Sequence, residues 1–358
     1  MNKIIMHVAP LFFRVLVRAQ KRIQTKHKVK FDKLENSYYL FEAEKLGINT
    51  KIIMDDVLQL SKGHEVYNIW HSGTDFDGWG SLHIAGDKVH CYSMLKKAGI
   101  PVPRHVVLKS GDYKNAIAFK KQINVPIVIK PARDTGDGSG VFIKPESNLA
   151  TLFAVNCSGA YGKEVIVEEY FEGTNYRLLY CKGRFVGASS RIPAFVVGDG
   201  MHSISELITN LNKGRREIGD LEPYDPTTRP VLYRIAISRS LKKLVNRQGL
   251  KLNSIPGKGV VVRLQDICHW LYGGQYWDVT DTISTDLIEI GKEAVQAVGV
   301  KLAGVDLIAK DIIDPKEGSY VVNDINTTPA VLVHYEAQNR DKIRPVAREI
   351  LKIMFGLD

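Results

Sequence analysis

Two strand-like stretches near the C-terminal end, AGVDLIAKD (303–311) and YVVNDIN (320–326), each place an aspartate inside a run of β-forming apolar residues. A carboxylate between Val305 and Leu307 is costly to bury unpaired. The two runs therefore have to pair so that Asp306 and Asp324 converge on something. Asn326 stands two residues beyond Asp324 and shares its face, whereas Asn323 is expected on the opposite one. Pro329 ends the run. Three oxygen donors on one sheet face suit magnesium, which takes a few carboxylates together with phosphate oxygens. The alternative is a pair of structural acids at strand ends, and the cost of burial favours the metal.

The rest of the chain must supply a scaffold for such a site. Its 358 residues, 44% apolar and 25% charged, describe an ordinary globular protein with a sizeable core. The formal net charge of +10 favours an anionic partner. Cys91, Cys157, Cys181 and Cys268 show no metal-like spacing and read as reduced thiols. No window reaches the roughly 18 apolar residues of a membrane span. The opening MNKIIMHVAPLFFRVLVRAQ is interrupted by His7, Pro10 and Arg14, which argues against a signal peptide. A cytoplasmic location is expected. Residues 11–24 read as a basic amphipathic helix that docks on the body, with membrane-surface binding as the alternative.

Periodicity and turn chemistry predict helices over 37–46, 88–98, 116–122, 147–157, 204–211, 231–246, 286–298 and 341–354. Strands are predicted at 51–54, 106–108, 164–171 and 258–265. Residues 72–86, SGTDFDGWGSLHIAG, read as a loop, and 213–230 as a polar surface loop. VPIVIKP and VFIK form a hairpin around the tip DTGDGSG, and 176–181 with 185–188 form a second hairpin. No repeat is present.

Two further segments carry chemistry. In IVIKPARDTGDGSGVFI, Lys130 ends a strand before a loop holding Gly136, Gly138 and Gly140. Amides in such a loop can wrap an anion, and Lys130 adds a charge. No Gly-Lys-Ser/Thr leads into a helix, so this is not a P-loop. It is either a lid over phosphates or a flexible hairpin. In VIVEEYFEGTNYRLL, Glu168, Glu169 and Tyr170 end a buried strand, which suits either an adenine or solvated acids.

The order of these pieces resembles the ATP-grasp family from about residue 86 to the C-terminus. DKVHCYSMLKKAGIPVP matches that family's opening helix, with Lys88 at its phosphate-touching position. The run RIPAFVVGDGMHSISEL resembles more closely the ATP-grasp module of cyanophycin synthetases and bifunctional glutathione synthetases. No P-loop domain follows, so a stand-alone amino-acid or peptide ligase is expected rather than a polymerase.

The resemblance implies an α/β (α+β) ATP-grasp fold. A small N-terminal α/β layer with a helix (1–85) precedes an ATP-binding lid subdomain with the glycine-rich hairpin (86–175). A C-terminal antiparallel-sheet subdomain (176–358) carries the metal ligands and substrate site. The implied activity is ATP- and magnesium-dependent joining of a carboxylate to an amine through an acyl phosphate. Lys88 and Lys130 would hold phosphates, and residues 134–140 would close over them. Glu168 and the backbone of Glu169 and Tyr170 would read adenine. Asn175 takes the position of a ribose-binding acid. Asp306, Asp324 and Asn326 would hold one or two magnesium ions. Arg191 would face the phosphoryl group or the substrate carboxylate, or form a surface salt bridge. The family pattern has glutamate where Asp324 stands and glycine where Ala330 stands.

Partners are then small carboxylates and amines, with homo-oligomers known among such relatives. A kinase of a small polar molecule is the second reading. A non-catalytic anion- or nucleic-acid-binding protein is the third, and the chain lacks a nucleic-acid motif. His202, Arg215, Arg216, Arg229 and Arg234 lie in or beside the least family-like segment. They could bind a carboxylate, an acidic peptide or a carrier protein, or form a solvated face.

Overall fold

The computed structural model describes residues 34–54, 56–70, 72–133, 135, 138–215, 232–268 and 272–357. The expected helix at 11–24, most of the loop at 213–230, and Gly136, Arg216 and Arg229 lie outside them. Three layers build the site, and each follows from a period-2 or period-3.6 pattern.

The N-terminal layer pairs a helix over residues 34–45 (α1) with an antiparallel meander, β1 (Asn49–Met54), β2 (Val57–Lys62), β3 (Glu65–Trp70) and β4 (Gly73–Thr74). The sequence reading saw only the first of these strands. Leu58 and Leu60 alternate inward on β2, but the polar residues of β3 hide its period. The 72–86 stretch is not all loop: α2 (Trp79–Gly86) fills its second half.

The second layer, the one expected to act as a lid, begins with α3 (Lys88–Lys97), capped by Asp87, whose side chain accepts from the amides of Val89 and His90. Its sheet has the order β5 (His105–Lys109), β8 (Glu164–Glu169), β6 (Ile127–Pro131), β7 (Phe142–Ile143). Helices α4 (Tyr113–Ile123) and α5 (Asn148–Ser158) cover one face, burying Ile127, Ile129, Val165 and Val167. Strand alternation sends Lys130 and Glu168 to the other face. Ser147 caps α5, as expected.

The central antiparallel sheet runs β13 (Gln275–Asp278), β10 (Arg184–Ile192), β9 (Thr174–Cys181), β14 (Leu302–Ala309), β15 (Tyr320–Asn326). A two-residue turn, Lys182-Gly183, joins β9 to β10. One face packs Leu178, Tyr180, Val305 and Leu307 on α3 and α8 (Thr285–Val298). The other face is apolar at one end, where Leu179, Cys181 and Leu302 join a core shared with α1, β2 and α10 (Val346–Phe355). The N-terminal layer thus has no core of its own. Between β10 and β13 the chain builds an insertion: β11 (Phe195–Val197), α6 (Ile204–Asn212), α7 (Arg239–Arg247) and β12 (Val261–Arg263), with a separate core. Helix α7 starts at Arg239 behind its Ser238 cap, later than the expected 231, because residues 232–238 are not helical. The four cysteines are free, and all but Cys268 are buried. Among the described residues no helix is long and apolar enough to cross a membrane.

Glu35 on α1 fastens the N-terminal layer to the chain beyond β15. Its carboxylate accepts from the amides of Val331 (2.9 Å) and Leu332 (3.1 Å) and from the Ser72 hydroxyl (3.0 Å). Burial raises its pKa to about 7 against the opposing pull of those donors. The folded chain therefore holds a proton that the unfolded chain releases, so the stabilisation is complete below the ordinary carboxylate range and is lost as pH rises through 7. Urea unfolding across this interval should show Glu35→Gln flattening a decline of at most about 1.4 kcal/mol per pH unit in the wild type.

Candidate active site

The central sheet's site face carries a row of polar side chains. Register places Asp278, Ser189, Arg177, Asp306 and Asp324 side by side, one from each of five strands. Two residues along, Tyr276, Arg191 and Asn175 form a second row. Arg177 holds Asp306 through both ends of its fork, Nε to Oδ1 at 2.7 Å and Nη2 to Oδ2 at 2.8 Å. Arg191 Nη1 lies 3.2 Å from Asp306 Oδ2, and Asn326 Nδ2 lies 3.1 Å from the same oxygen. Burial alone would raise the Asp306 pKa, but Arg177 and Arg191 hold it at about 2. Gly304 makes this possible, because a Cβ there would stand 3.0 Å from Arg177 Cδ and 3.1 Å from Pro329.

Lys88 projects from the first turn of α3 onto Asp324. Burial would lower the lysine's pKa, but Asp324, with Asp306 and Glu168 behind it, holds it above its ordinary value. The same helix face carries Tyr92, four residues on. Its hydroxyl accepts from Lys130 Nζ at 3.1 Å and can donate to the Asn323 carbonyl at 2.8 Å or to Glu168 Oε2 at 3.0 Å. Lys130 also pairs with Glu168 at 2.8 Å, both side chains being nearly fully buried. Four cations, Lys88, Lys130, Arg177 and Arg191, therefore interleave with three carboxylates, Glu168, Asp306 and Asp324, where the two sheets meet.

Several expectations need correction. Asn323 does not face away from the site: a bulge opposite Asp306/Leu307 turns its side chain to Lys130, 3.3 Å from Nζ. Of the backbone expected to read adenine, the amides of Glu169 and Tyr170 are already taken, donating to the carbonyls of Arg104 (2.9 Å) and Pro126 (2.7 Å). The Glu169 side chain is ion-paired with Arg104, and the Lys144 ammonium lies 3.8 Å from the Tyr170 ring centroid. Arg191 is no surface salt bridge but a largely buried side chain. Asn175 sits beside it, Nδ2 3.8 Å from Cys268 Sγ. Gly138 and Gly140 both take left-handed φ in the hairpin, and Gly138 lies against Ile267, next to Cys268, whose carbonyl faces Arg191. His202 lies apart. Its backbone amide donates to Asp199 Oδ1 and its Nδ1 lies 2.6 Å from Asp199 Oδ2, in a local turn that leads into the Ser203–Glu206 capping box of α6.

The sequence reading missed Tyr92, Arg177, Asp87 and Arg133. Arg133 pairs with Asp87 at 2.6 Å and ties the start of α3 to the end of β6, which brings Lys88 and Lys130 together. The available signals were the Lys88/Tyr92 spacing and an arginine alternating with Asn175 on a buried strand.

Comparison with known proteins agrees with this geometry. Residues 87–177 match the family described as Carbamoyl-phosphate synthase L chain, ATP binding domain. A cyanophycin synthetase from Trichormus variabilis is 31% identical over 317 residues, covering 88% of this chain and 34% of that protein. The glutathione biosynthesis bifunctional protein of Pasteurella multocida is 29% identical over 335 residues, covering 91% of this chain and 43% of that one. The crystal structure of a bifunctional glutathione synthetase from the same organism superposes with a TM-score of 0.63 at 28% identity, over 91% of this chain and 44% of that one.

The chain carries an ATP-grasp domain.

It spans about a third of the cyanophycin synthetases it matches and under half of the bifunctional proteins. The ATP-grasp site has a donor set compatible with magnesium: two carboxylates on adjacent strands in register, and an amide beside one of them. Among the described residues no group of three or more His, Cys, Asp or Glu side chains is placed to hold a metal ion, and this site offers two carboxylates and an amide.

Tyr92 is the hinge between the lysine of β6 and the bulge of β15. Tyr92→Phe should lower stability by about 1–3 kcal/mol, because Lys130 and Glu168 lose a buried partner. Urea unfolding at neutral pH measures it.

Proposed function

We propose that this chain joins a carboxylate to an amine, with ATP cleaved to ADP and phosphate. The observation that carries the reading is the interleaved array of four cations and three carboxylates between lid and central sheet. Each cation lies against a carboxylate of the protein itself, with Arg177 and Arg191 sharing Asp306. A nucleotide's phosphates are the ligands able to take over Lys88, Lys130 and Arg191, freeing Asp324 and Asp306. Asp306, Asp324 and Asn326 would hold magnesium, which supplies charge neutralisation on the phosphate oxygens when bound.

The chemistry then balances as follows. A substrate carboxylate oxygen bonds to the γ-phosphorus while the bond to the β-bridging oxygen breaks and ADP leaves. An amine nitrogen bonds to the acyl carbon, the acyl C–O bond breaks, phosphate leaves, and the nitrogen gives up its proton. No protein nucleophile is needed. Lys88, Lys130 and Arg191 stabilise charge that spreads over the transferring group. The glycine hairpin, in which Gly138 lies against Ile267, keeps water from the acyl phosphate. The N-terminal layer serves as the support that fixes the chain beyond β15.

The cyanophycin and glutathione synthetases among the relatives favour an amino acid or short peptide as substrate. Phosphate release from ATP with magnesium, assayed with single amino acids and with pairs, should require both a carboxylate and an amine. Mass spectrometry should find a product lighter than the two by one water. Release that needs a hydroxyl acceptor and no amine would replace the ligase with a kinase. Asp324→Asn should lower turnover by at least about 100-fold with far-UV circular dichroism unchanged. Wild-type turnover in that variant would remove Asp324 from the reaction.

A further inference from the structure

The insertion carries a cation that the array above does not use. Arg215 follows α6 directly and its side chain turns inward, leaving the residue 8% exposed. Its Nη1 donates to the carbonyls of Tyr233 (2.9 Å) and Gly273 (3.1 Å). Among the described residues its buried Nε and Nη2 have no hydrogen-bond partner and no carboxylate pairs with it. Nε and Nη2 form the edge of a guanidinium that matches a carboxylate fork. Arg177 shows that edge filled, by the two oxygens of Asp306 at 2.7 and 2.8 Å. In Arg215 the same edge is empty.

A guanidinium buried without a counter-charge is costly, and burial pulls the Arg215 pKa down to about 10. Arg191, also largely enclosed but beside Asp306, is held above its ordinary value instead. The surroundings of Arg215 are also shaped for it. Gly273 has φ +78°, and a Cβ there would stand 3.0 Å from Arg215 Nη1 and 2.5 Å from Ile235 Cγ1. A glycine is therefore required both by the turn and by the guanidinium. That turn leads into β13, where Tyr276 is the register partner of Arg191. Arg215 thus holds the turn that leads into the strand paired with Arg191, at the junction of insertion and central sheet.

We propose that the Nε–Nη2 edge of Arg215 binds a carboxylate of the substrate that does not itself react. The substrate class is then an amino acid or peptide that keeps a free carboxylate through the reaction; this class rests on the ligase reading above. The reacting carboxylate goes to the phosphate-binding cations, and the second one to Arg215. Because both nitrogens are shut off from solvent, the surrounding chain has to give way to admit the ligand. Relief of the uncompensated charge favours that opening.

The test uses the intact wild-type chain, labelled with 15N, without ATP. The Arg215 Nε–H resonance is assigned from its loss in Arg215→Lys, or by side-chain triple-resonance correlation if that variant does not fold. Acetate, glycine and glycinamide are titrated at matched ionic strength. The expected result is a saturable shift with acetate and glycine and none with glycinamide. A resonance unmoved by both carboxylates overturns the proposal, as does one that moves equally with glycinamide. In turnover, replacing a substrate's non-reacting carboxylate by its amide should cost the wild type on the order of 100-fold in kcat/KM and Arg215→Met far less. Equal losses in both overturn it too. A saturable carboxylate shift in a chain that shows no ligase activity would instead sink the proposed function and leave the carboxylate site standing.

Discussion

The pairing of Asp306 with Arg177 is the interaction on which the rest of the site depends. It spans two neighbouring strands of the central sheet and joins both oxygens of one residue to both arms of the other. Removing one member of such a buried pair leaves an uncompensated charge that costs about 3–5 kcal/mol. Everything nearby is arranged to keep it whole. Gly304 leaves room for the arginine, and Arg191 and Asn326 satisfy the remaining lone pairs of Asp306.

The site lies between two sheets whose other faces are apolar, and this division of labour fixes its rigidity. The lid sheet buries Ile127, Ile129, Val165 and Val167 under its helices, and the central sheet buries Leu178, Val305 and Leu307 under α3 and α8. Helix α3 belongs to both contacts. It packs on the central sheet, starts at the Asp87–Arg133 tie to the lid, and delivers Lys88 and Tyr92 to the gap. A shift of the lid relative to the central sheet must pass through this helix.

The most family-specific run of the sequence proves to be a folding device. In RIPAFVVGDGMHSISEL the first arginine reaches the site, but Asp199 accepts from the amides of Met201 and His202, and Ser203 and Glu206 cap α6 reciprocally. These contacts are local, which explains why the run is recognisable in one dimension. They hold the insertion together and place its edge, with Arg215, beside β13.

What the sequence determined by itself is what short-range periodicity and local capping control. Alternation set Asp324 and Asn326 on one face and put Lys130 and Glu168 on the face opposite their apolar neighbours. Serine and aspartate caps marked most helix starts, and the glycine hairpin announced itself by composition. The tertiary structure alone decided the partners. Arg177 looks like any strand arginine until register lays it against Asp306. Tyr92 looks like a core aromatic until α3 docks, and the bulge that turns Asn323 inward is invisible without its partner strand. The amides of Glu169 and Tyr170 are taken up by strands contributed from some forty to sixty-five residues upstream. Charge neutralisation acts through space between strands distant in sequence, so a linear pattern can name the charged residues but not say which of them meet.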